Sequence, residues 1–354
     1  MRRIIILSCM LVFFALAGCA NSKTSLSEKD APRHHAEQGF RNPHLQTEKR
    51  GFFKYLKMRY FSDEEFADNN DVKDKIPTKP ADLKQIHNPQ EKPQITWIGH
   101  ATMLIQYEGI NILTDPIFSD RASPVSFAGP KRFNKPALEI KDLPPIDFVL
   151  LSHNHYDHLD LPSVKGIGNS TMWLVPLENR IFLEDAGIKE ENIIDFDWWD
   201  AKQFPKLTIT STPAQHWSAR SLWDRNESLW SSWLIQYEGF TVWYSGDTGY
   251  NLYQFKEIGS KHKDIDLALI SIGAYAPRWF MKDMHTNPEE AVQIHQDIGS
   301  QYSIGVQWGT FVLSAEPLNE PPIKLKEALE KKGISPKEFE TIKIGETKIL
   351  NLKK

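Results

Sequence analysis

One hexapeptide occurs twice in this chain, and the duplication constrains the fold more than any other sequence feature. Leu104–Gly109 and Leu234–Gly239 share the sequence Leu-Ile-Gln-Tyr-Glu-Gly. Each copy has the pattern of a β-hairpin turn, and each is followed by an alternating apolar run that ends in an aspartate-containing turn, at Asp115 and Asp247. A duplicated strand–hairpin unit predicts two similar half-domains, which suits two sheets packed face to face with helices outside. Chance recurrence of a short turn sequence is the alternative.

Four metal-capable side chains follow a predicted strand within six residues: His153, His155, Asp157 and His158. The strand, Phe148–Ser152, is a short apolar run typical of a strand buried on both faces. In extended chain His153 and His155 share a face and can converge on one ion, whereas the turn beyond directs Asp157 and His158 toward a second. Neutral imidazole with carboxylate suits zinc, iron or manganese. A histidine-rich surface loop, the alternative, explains neither the aspartate nor the strand.

Two further candidate ligands come after other predicted strands. His216 follows the alternating run 207–210, and Asp247 follows the apolar run 240–244 in a turn flanked by Gly246. Glycine lets the backbone approach a site closely. Considered alone, His216 is equally well explained as a hydrogen-bonded, partly buried histidine, and Asp247 is better explained as a turn former. Beside the histidine-rich segment, both are predicted ligands.

Longer motifs accompany these residues. They are Trp97–Thr102, Leu113–Phe118, Gly129–Phe133, Leu143–Asp147, Gln215–Trp217, Gly246–Tyr250, Ile272–Tyr275, Pro277–Met281 and Trp308–Phe311. With these motifs, from about Phe40 to near the C-terminus, the sequence resembles the metallo-β-lactamase superfamily. Within that superfamily it resembles the N-acyl-phosphatidylethanolamine-hydrolysing phospholipase D group. The resemblance implies an αββα sandwich, in agreement with the duplicated hairpins.

The resemblance also implies ligand roles. It places His153, His155 and His216 on one zinc ion, Asp157 and His158 on the other, and Asp247 between the two. Where the family has a histidine before Trp-Gly-Thr-Phe, as the last ligand of the second metal, this chain has Gln307.

A neutral amide oxygen is a weaker donor than imidazole for a borderline ion. We therefore expect a second site that is looser, takes water or prefers a harder metal. His285 is the nearest histidine in sequence that can compensate. The resemblance places it beside the substrate phosphate instead, and a loop histidine without a role is the alternative.

The activity implied is that of a zinc-dependent hydrolase acting on phosphoric diester bonds. By resemblance, the enzyme hydrolyses N-acyl-phosphatidylethanolamine-like phospholipids to phosphatidic acid and an N-acylethanolamine, with Asp157 and His285 in catalysis. The implied cofactor is a pair of Zn²⁺ ions, the second in question because of Gln307. Two alternatives remain: a lactonase-like hydrolase of another ester, and a non-catalytic metal-binding envelope protein.

Residues 1–18 have the pattern of a signal peptide, with a basic start, an apolar stretch from residue 4 to 16 and small residues before Cys19. The apolar stretch is too short to span a bilayer comfortably. A cysteine directly after Leu-Ala-Gly resembles a bacterial lipoprotein processing site, which makes Cys19 the predicted lipidated N-terminus. By resemblance to lipoprotein sorting, Ala20 in place of aspartate favours the periplasmic face of the outer membrane. A plain secreted protein is the alternative.

The predicted organisation is a signal peptide over 1–18, a lipid-anchored tether and N-terminal arm over 19–92, and a hydrolase domain over 93–354. The tether is polar, so its histidines, His34 and His35, are expected to be solvated. The segment 51–66 is consistent with an amphipathic helix, packed on the domain or in contact with a membrane surface. Cys9, the other cysteine, lies in the removed segment, so the mature chain forms no internal disulfide.

Charge gives no support for a nucleic-acid partner, because the formal net charge is -4 and the pI is near 6.3. The predicted partners are a phospholipid substrate and the membrane, reached through the lipid on Cys19. A homodimer is left open.

Overall fold

A computed structural model describes residues 32–45, 54, 57–58, 61, 63–69, 72 and 75–351. Nearly all of the described residues belong to one compact unit, which spans residues 34–354. The predicted signal peptide, Cys19 and most of the predicted helix over 51–66 lie outside the described residues. The domain boundaries and the homodimer therefore stay predictions.

The described part of the chain contains fourteen strands. They are β1 (Gln94–Gly99), β2 (Thr102–Tyr107), β3 (Ile110–Thr114), β4 (Phe148–Leu150), β5 (Met172–Pro176), β6 (Ile193–Phe196), β7 (Ala201–Gln203), β8 (Leu207–Thr212), β9 (Ser232–Tyr237), β10 (Phe240–Tyr244), β11 (Leu267–Ser271), β12 (Tyr302–Val306), β13 (Phe339–Glu340) and β14 (Thr347–Ile349).

The α-helices with described bounds connect these strands. They are α1 (Leu83–His87), α2 (Leu161–Ile167), α3 (Arg180–Asp185), α4 (Gln254–Lys261), α5 (Arg278–Met281), α6 (Pro288–Asp297) and α7 (Glu320–Lys332). Short 3₁₀ helices span Ile140–Asp142 and Glu190–Asn192. Helix α6 begins at a capping box, because Asn287 accepts from the Glu290 N–H and Glu290 accepts from the Asn287 N–H.

The strands form two mixed sheets of seven, with the same sequence of strand directions. The first sheet has the order β14-β1-β2-β3-β4-β5-β6, and the second has the order β13-β12-β11-β10-β9-β8-β7. In the first, β14 to β3 pair antiparallel and β3 to β6 pair parallel. In the second, β7 to β10 pair antiparallel and β10 to β13 pair parallel. Strands β1 to β6 therefore correspond to β8 to β13, with β14 and β7 on equivalent edges.

Successive side chains of the first sheet enter different hydrophobic clusters. Met103 and Ile105 belong to a large cluster shared with the second sheet and with helices α4, α6 and α7, whereas Leu104 belongs to a cluster that includes side chains of α1, α2 and α3. This alternation has the period of two expected for a strand. It places apolar packing on both faces of the sheet, so the prediction of two face-to-face sheets with helices outside is confirmed.

Both copies of the hexapeptide form the predicted hairpins. Tyr107 pairs with Ile110 in the first, and Tyr237 pairs with Phe240 in the second. The glycine of each turn, at positions 109 and 239, has a φ of +76°. A side chain with a Cβ rarely adopts this conformation, which explains the glycine in both copies.

The expectation that His34 and His35 are solvated is wrong. His34 is buried, with its ring stacked on Trp198 at a centroid distance of 4.2 Å. Its Nε2 lies 2.6 Å from Asp197 Oδ1, and His35 Nε2 lies 2.8 Å from Asp197 Oδ2. The carboxylate that follows β6 thus fixes this N-terminal segment.

Within the described residues, every helix is too short or too polar to span a bilayer.

Candidate metal centre

The predicted ligands lie after the ends of strands that run in one direction. Strands β1, β3 and β4 share a direction in the first sheet, and β8, β10 and β12 share one in the second. His153 comes after β4, His216 after β8 and Asp247 after β10. Because the ends of codirectional strands meet at one edge of a sheet, side chains that are distant in sequence become neighbours.

The first group of potential ligands is His153, His155, His216 and Asp247, whose donor atoms lie within 4.8 Å of one another. His155 Nδ1 lies 2.7 Å from His153 Nε2 and 3.2 Å from His216 Nε2. The Nδ1 of His216 donates to the Met284 carbonyl at 2.8 Å, which leaves its Nε2 free to face the group. A hydrogen bond of this kind fixes the ring and its tautomer in metal sites.

The second group is His100, Asp157 and His158, again with donor atoms within 4.8 Å. Asp247 lies between the groups. Its Oδ2 is 3.6 Å from His216 Nε2, and its Oδ1 is 3.2 Å from His158 Nε2. All six predicted ligands are therefore brought together in two adjacent groups that share one carboxylate, whereas their metal role stays a prediction.

His158 is held by a carboxylate that sequence reasoning missed. Asp115 accepts from the Ser152 N–H at 2.7 Å, the Ser152 hydroxyl at 2.5 Å and the Tyr244 hydroxyl at 2.5 Å. It also lies 2.6 Å from His158 Nδ1. This contact directs His158 Nε2 toward Asp157 and Asp247.

Burial and neighbouring charges set the protonation of the centre. Burial lowers the pKa of His155 to about 3, and it holds the pKa values of His153 and His216 well below their ordinary value. Imidazole binds metals in its neutral form, so these three rings are in the state that a ligand requires. Burial also acts to lower the pKa of His158, but Asp247, Asp157 and Asp115 outweigh it and raise that pKa well above its ordinary value.

His285 lies on the side of the first group. Its Nδ1 is 3.8 Å from Asp247 Oδ2, and its ring centroid is 5.0 Å from that of His216. The Nδ1 atom is buried and has no hydrogen-bond partner in the described part of the chain. Burial lowers the pKa of this ring, which is therefore neutral at pH 7. The structure places His285 in the centre, and its catalytic role stays a prediction.

Gln307 lies on the side of the second group. Its Nε2 is 3.4 Å from His158 Nε2, and its Oε1 accepts from the Ser271 hydroxyl. Its φ is +59°, a left-handed conformation that is costly for a residue with a Cβ. The amide therefore lies beside the second group with its nitrogen toward His158, and its role as a ligand stays a prediction.

A loop of the second half-domain is fastened to the histidine-rich segment. Arg220 donates to the Asn154 carbonyl at 2.7 Å and the Leu159 carbonyl at 2.8 Å, and its guanidinium stacks on Tyr156. The loop that follows His216 therefore lies beside the centre.

Comparison with known proteins agrees with this arrangement. Residues 110–308, more than half of the chain, match the family model described as Beta-lactamase superfamily domain. The chain is 43% identical over 263 residues to N-acyl-phosphatidylethanolamine-hydrolyzing phospholipase D 1 of Caenorhabditis elegans, a match that covers 71% of the chain and 74% of the relative. It is 40% identical over 239 residues to the mitochondrial N-acyl-phosphatidylethanolamine-hydrolyzing phospholipase D of Saccharomyces cerevisiae, covering 65% of the chain and 50% of that relative.

A solved structure has the same fold. Igni18, a metallo hydrolase from Ignicoccus hospitalis, matches with a TM-score of 0.56 at 20% identity, over 74% of this chain and 100% of that structure. The duplicated sandwich and its edge of histidines and aspartates define a metallo-hydrolase. The chain belongs to the metallo-β-lactamase superfamily and is similar, within it, to the N-acyl-phosphatidylethanolamine-hydrolysing phospholipases D.

Proposed function

We propose that this protein is a zinc-dependent phosphodiesterase of the phospholipase D type. Its substrates would be N-acyl-phosphatidylethanolamine-like phospholipids, and its products phosphatidic acid and an N-acylethanolamine. The observation that carries the proposal is the pair of ligand groups joined by Asp247. The substrate class is supported by the names of the relatives in Caenorhabditis elegans and Saccharomyces cerevisiae.

The donor set fits a pair of metal ions. It consists of imidazole nitrogens and carboxylate oxygens, the ligands that zinc takes in hydrolases. Asp247 Oδ1 is a buried polar atom without a hydrogen-bond partner among the described residues, as expected where a cation supplies the missing interaction. In this proposal the first ion is held by His153, His155 and His216, and the second by Asp157 and His158.

A bound metal pair supplies hydroxide at neutral pH and neutralises charge on the phosphoryl oxygens. In the hydrolysis, the water oxygen bonds to phosphorus and the phosphorus–oxygen bond on the ethanolamine side breaks. One proton of the water passes to the leaving alkoxide and the other is released. His285, a neutral ring beside Asp247, donates a hydrogen bond to a phosphate oxygen or to the leaving oxygen.

Exposed apolar side chains around the centre support a lipid substrate. Among the large exposed hydrophobic residues of the described part of the chain, six lie in loops that follow β3, β8 or β10, and one lies on helix α5, which follows β11: Val125, Phe127, Leu222, Trp223, Leu252, Tyr253 and Trp279. Trp223, which is 85% exposed, belongs to the loop that Arg220 fastens beside the histidine-rich segment. Apolar patches of this kind are typical of membrane or ligand contacts.

The reaction is tested with purified, zinc-loaded full-length protein on N-acyl-phosphatidylethanolamine, a lactone and a simple phosphodiester. In ¹⁸O-labelled water, we expect the label in phosphatidic acid and not in the N-acylethanolamine, because attack occurs at phosphorus. Turnover of the lactone alone would favour the lactonase-like alternative. Bound zinc without turnover of any substrate would favour the non-catalytic binding protein.

The lipid-facing role of the exposed loops has a matched control. We expect Trp223→Ala to lower activity on phospholipid vesicles about tenfold while sparing a short-chain soluble substrate, because burial of a large apolar side chain contributes about 1.5 to 3 kcal/mol. Leu83→Ala is the control, since Leu83 is exposed on helix α1, and the Gln85 carbonyl of this helix accepts from Gln94, at the opposite end of β1 from His100. Equal losses on both substrates, or in both variants, would contradict the role.

We further propose attachment to the periplasmic face of the outer membrane through lipid on Cys19. The support is the lipoprotein-like sequence around Cys19. Cell fractionation tests it, with Cys19→Ala expected to move the protein from the membrane fraction to the soluble fraction. A membrane-bound Cys19→Ala variant would refute the anchor.

A further inference from the structure

The second ligand group contains an imidazole that the sequence analysis did not assign. His100 Nε2 lies 2.9 Å from Asp157 Oδ2, and the ring centroids of His100 and His158 are 5.5 Å apart. The residue is 1% exposed, and its Nδ1 has no hydrogen-bond partner within the described residues. The Nε2 atom of His100 therefore faces the second group, whereas its other ring nitrogen is a buried polar atom without a partner among the described residues.

The side chain of Gln307 does not present a metal-binding atom to the second group in the structure. The amide oxygen of Gln307 accepts from the Ser271 hydroxyl, and the amide nitrogen faces His158. An amide NH₂ group has no lone pair available for a cation. Among the described side chains, the second group thus has His100, Asp157 and His158 as its close donors, with Asp247 Oδ1 adjoining.

The backbone holds His100 in place at an energetic cost. Its φ is +53°, a left-handed conformation that costs about 1 to 2 kcal/mol for a residue with a Cβ. The N–H of His100 donates to the Thr310 hydroxyl at 3.0 Å, and its carbonyl accepts from the Gln307 N–H at 3.0 Å. The same carbonyl accepts from Trp97 Nε1 at 2.9 Å. Strain that neighbouring contacts maintain is characteristic of functional positions.

The duplicated fold gives His100 a counterpart. Strands β1 and β8 are equivalent in the two sheets, and His100 follows β1 as His216 follows β8. His216 belongs to the first ligand group and His100 to the second. Each half-domain therefore contributes to one of the two groups a histidine from the segment that follows an equivalent strand.

We infer that His100 is a direct ligand of a metal ion in the second group and supplies the imidazole that position 307 lacks. The inference rests on the proposed metal-dependent function. His285, the histidine expected to compensate, lies near His216 and Asp247 Oδ2 on the side of the first group. The competing explanation is that His100 does not bind the metal and only positions the Asp157 carboxylate through a hydrogen bond.

The decisive measurement is the structure of the zinc-loaded full-length protein, with zinc located by anomalous diffraction. We expect a ring nitrogen of His100 about 2.0 to 2.1 Å from the second zinc ion. A separation of more than about 3 Å, with Asp157 between the ring and the ion, would overturn the inference, since that is the arrangement of a hydrogen-bonded outer residue.

Metal content provides a readout in solution. After dialysis we expect two zinc ions per wild-type chain, one in His100→Ala and one in His100→Gln. The glutamine can still donate a hydrogen bond to Asp157, so a positioning role would leave two ions in His100→Gln. Adding Gln307→His to His100→Ala should restore the second ion. His295→Ala is the control, because His295 is buried outside the centre with its Nδ1 2.8 Å from the Ser303 hydroxyl.

The outcomes separate this inference from the proposed function. Two zinc ions in both single variants, or one ion in the wild-type chain, would refute the role of His100 and leave phospholipid hydrolysis to be judged by the substrate assays. Absence of turnover with two ions bound in the wild-type chain would refute the phosphodiesterase and leave the ligand assignment intact. If His100→Ala fails to fold, the zinc-edge structure of the wild-type protein still decides.

Discussion

Asp115 and Asp247 follow equivalent strands of the two half-domains, β3 and β10, each of which completes the hairpin that one copy of the hexapeptide forms. Asp115 is fully committed within the protein, because two hydroxyls, one backbone N–H and His158 all contact its carboxylate. Asp247 Oδ1, by contrast, has no hydrogen-bond partner among the described residues. One of these two carboxylates therefore holds the centre in place, and the other is left available to it.

The difference shows how a duplicated fold can place carboxylates with two different roles after equivalent strands. A buried carboxylate with several donors is stabilised by those donors, whereas one without them needs a cation nearby. Burial acts to raise the pKa of Asp247, but the neighbouring His158 reverses that effect and lowers it below its ordinary value. The number of donors around each oxygen, more than the identity of the residue, separates the two roles.

The largest expected effects come from substituting the two aspartates in turn. Asp247→Asn should lower kcat/KM about 10³-fold or more, because shared metal binding worth several kcal/mol is lost. Asp115→Asn should lower the free energy of unfolding by about 3 to 5 kcal/mol, because an amide cannot accept all the donors that face this position. Metal content, steady-state kinetics and urea unfolding of both variants measure the contrast.

Asp115→Asn should also weaken zinc binding at the second group about 10- to 100-fold through loss of the His158 contact. Asp115 reaches His153 of the first group indirectly, through the Ser152 hydroxyl, which lies 2.9 Å from His153 Nδ1, so the first group should keep its ion. If the two asparagine variants lost stability and metal to the same extent, the distinction between a structural and a ligand carboxylate would be wrong.

An intermediate effect on the free energy of unfolding is expected from substitution of Asp197, the carboxylate that follows β6. Asp197, which follows this strand, faces His34 and His35, with Asp200 nearby. Burial acts to raise the pKa of Asp197, but the contact with His34 lowers it on balance. A depressed carboxyl pKa stabilises the fold above the unfolded value near 4, and this stabilisation is lost as the pH falls through the folded value.

Asp197→Asn should therefore lower the free energy of unfolding by about 2 kcal/mol at neutral pH, the size expected for hydrogen bonds to a charged group. The difference from wild type should shrink as the pH falls below about 4. Urea unfolding across pH 3 to 7 measures it. A difference that is independent of pH would rule out the ionised carboxylate as the source of the stabilisation.

The smallest expected effect compares the two identical hexapeptides. Glu108 has a positive φ of +53°, whereas the φ of Glu238 is not positive. Glu108→Gly should leave the free energy of unfolding unchanged or raise it by up to about 1 kcal/mol, because glycine relieves the left-handed strain. Glu238→Gly should lower it by about 0.5 to 1 kcal/mol, because only the entropy cost of glycine remains. Equal changes in thermal unfolding would show that the turns are energetically alike.

The fold and most of the centre could be predicted from local patterns. The repeated hexapeptide indicated the two half-domains, and polar residues after apolar runs indicated six candidate ligands, which the structure brings together. Such patterns are local because strand ends and turns are encoded by neighbouring residues.

Contacts between segments that are distant in sequence could not be predicted from these local patterns. The role of Asp115 depends on Tyr244, 129 residues away, and the burial of His34 depends on Asp197, 163 residues away. His100 was missed because its approach to Asp157 depends on the pairing of β1 with β2, including the irregular register between Trp97 and Gly99. The composition of the tether predicted solvated histidines, because composition carries no information on a distant partner such as Asp197.

The pairing of β14 with β1 has a consequence for biosynthesis. As a nascent chain leaves the ribosome, all seven strands of the second sheet have been made once β13 has emerged at residue 340. The first sheet still lacks Thr347–Ile349, so the free backbone groups of β1 stay open to other chains until then. The half-domain synthesised first therefore keeps an unpaired sheet edge at β1 after every strand of the second sheet has been made.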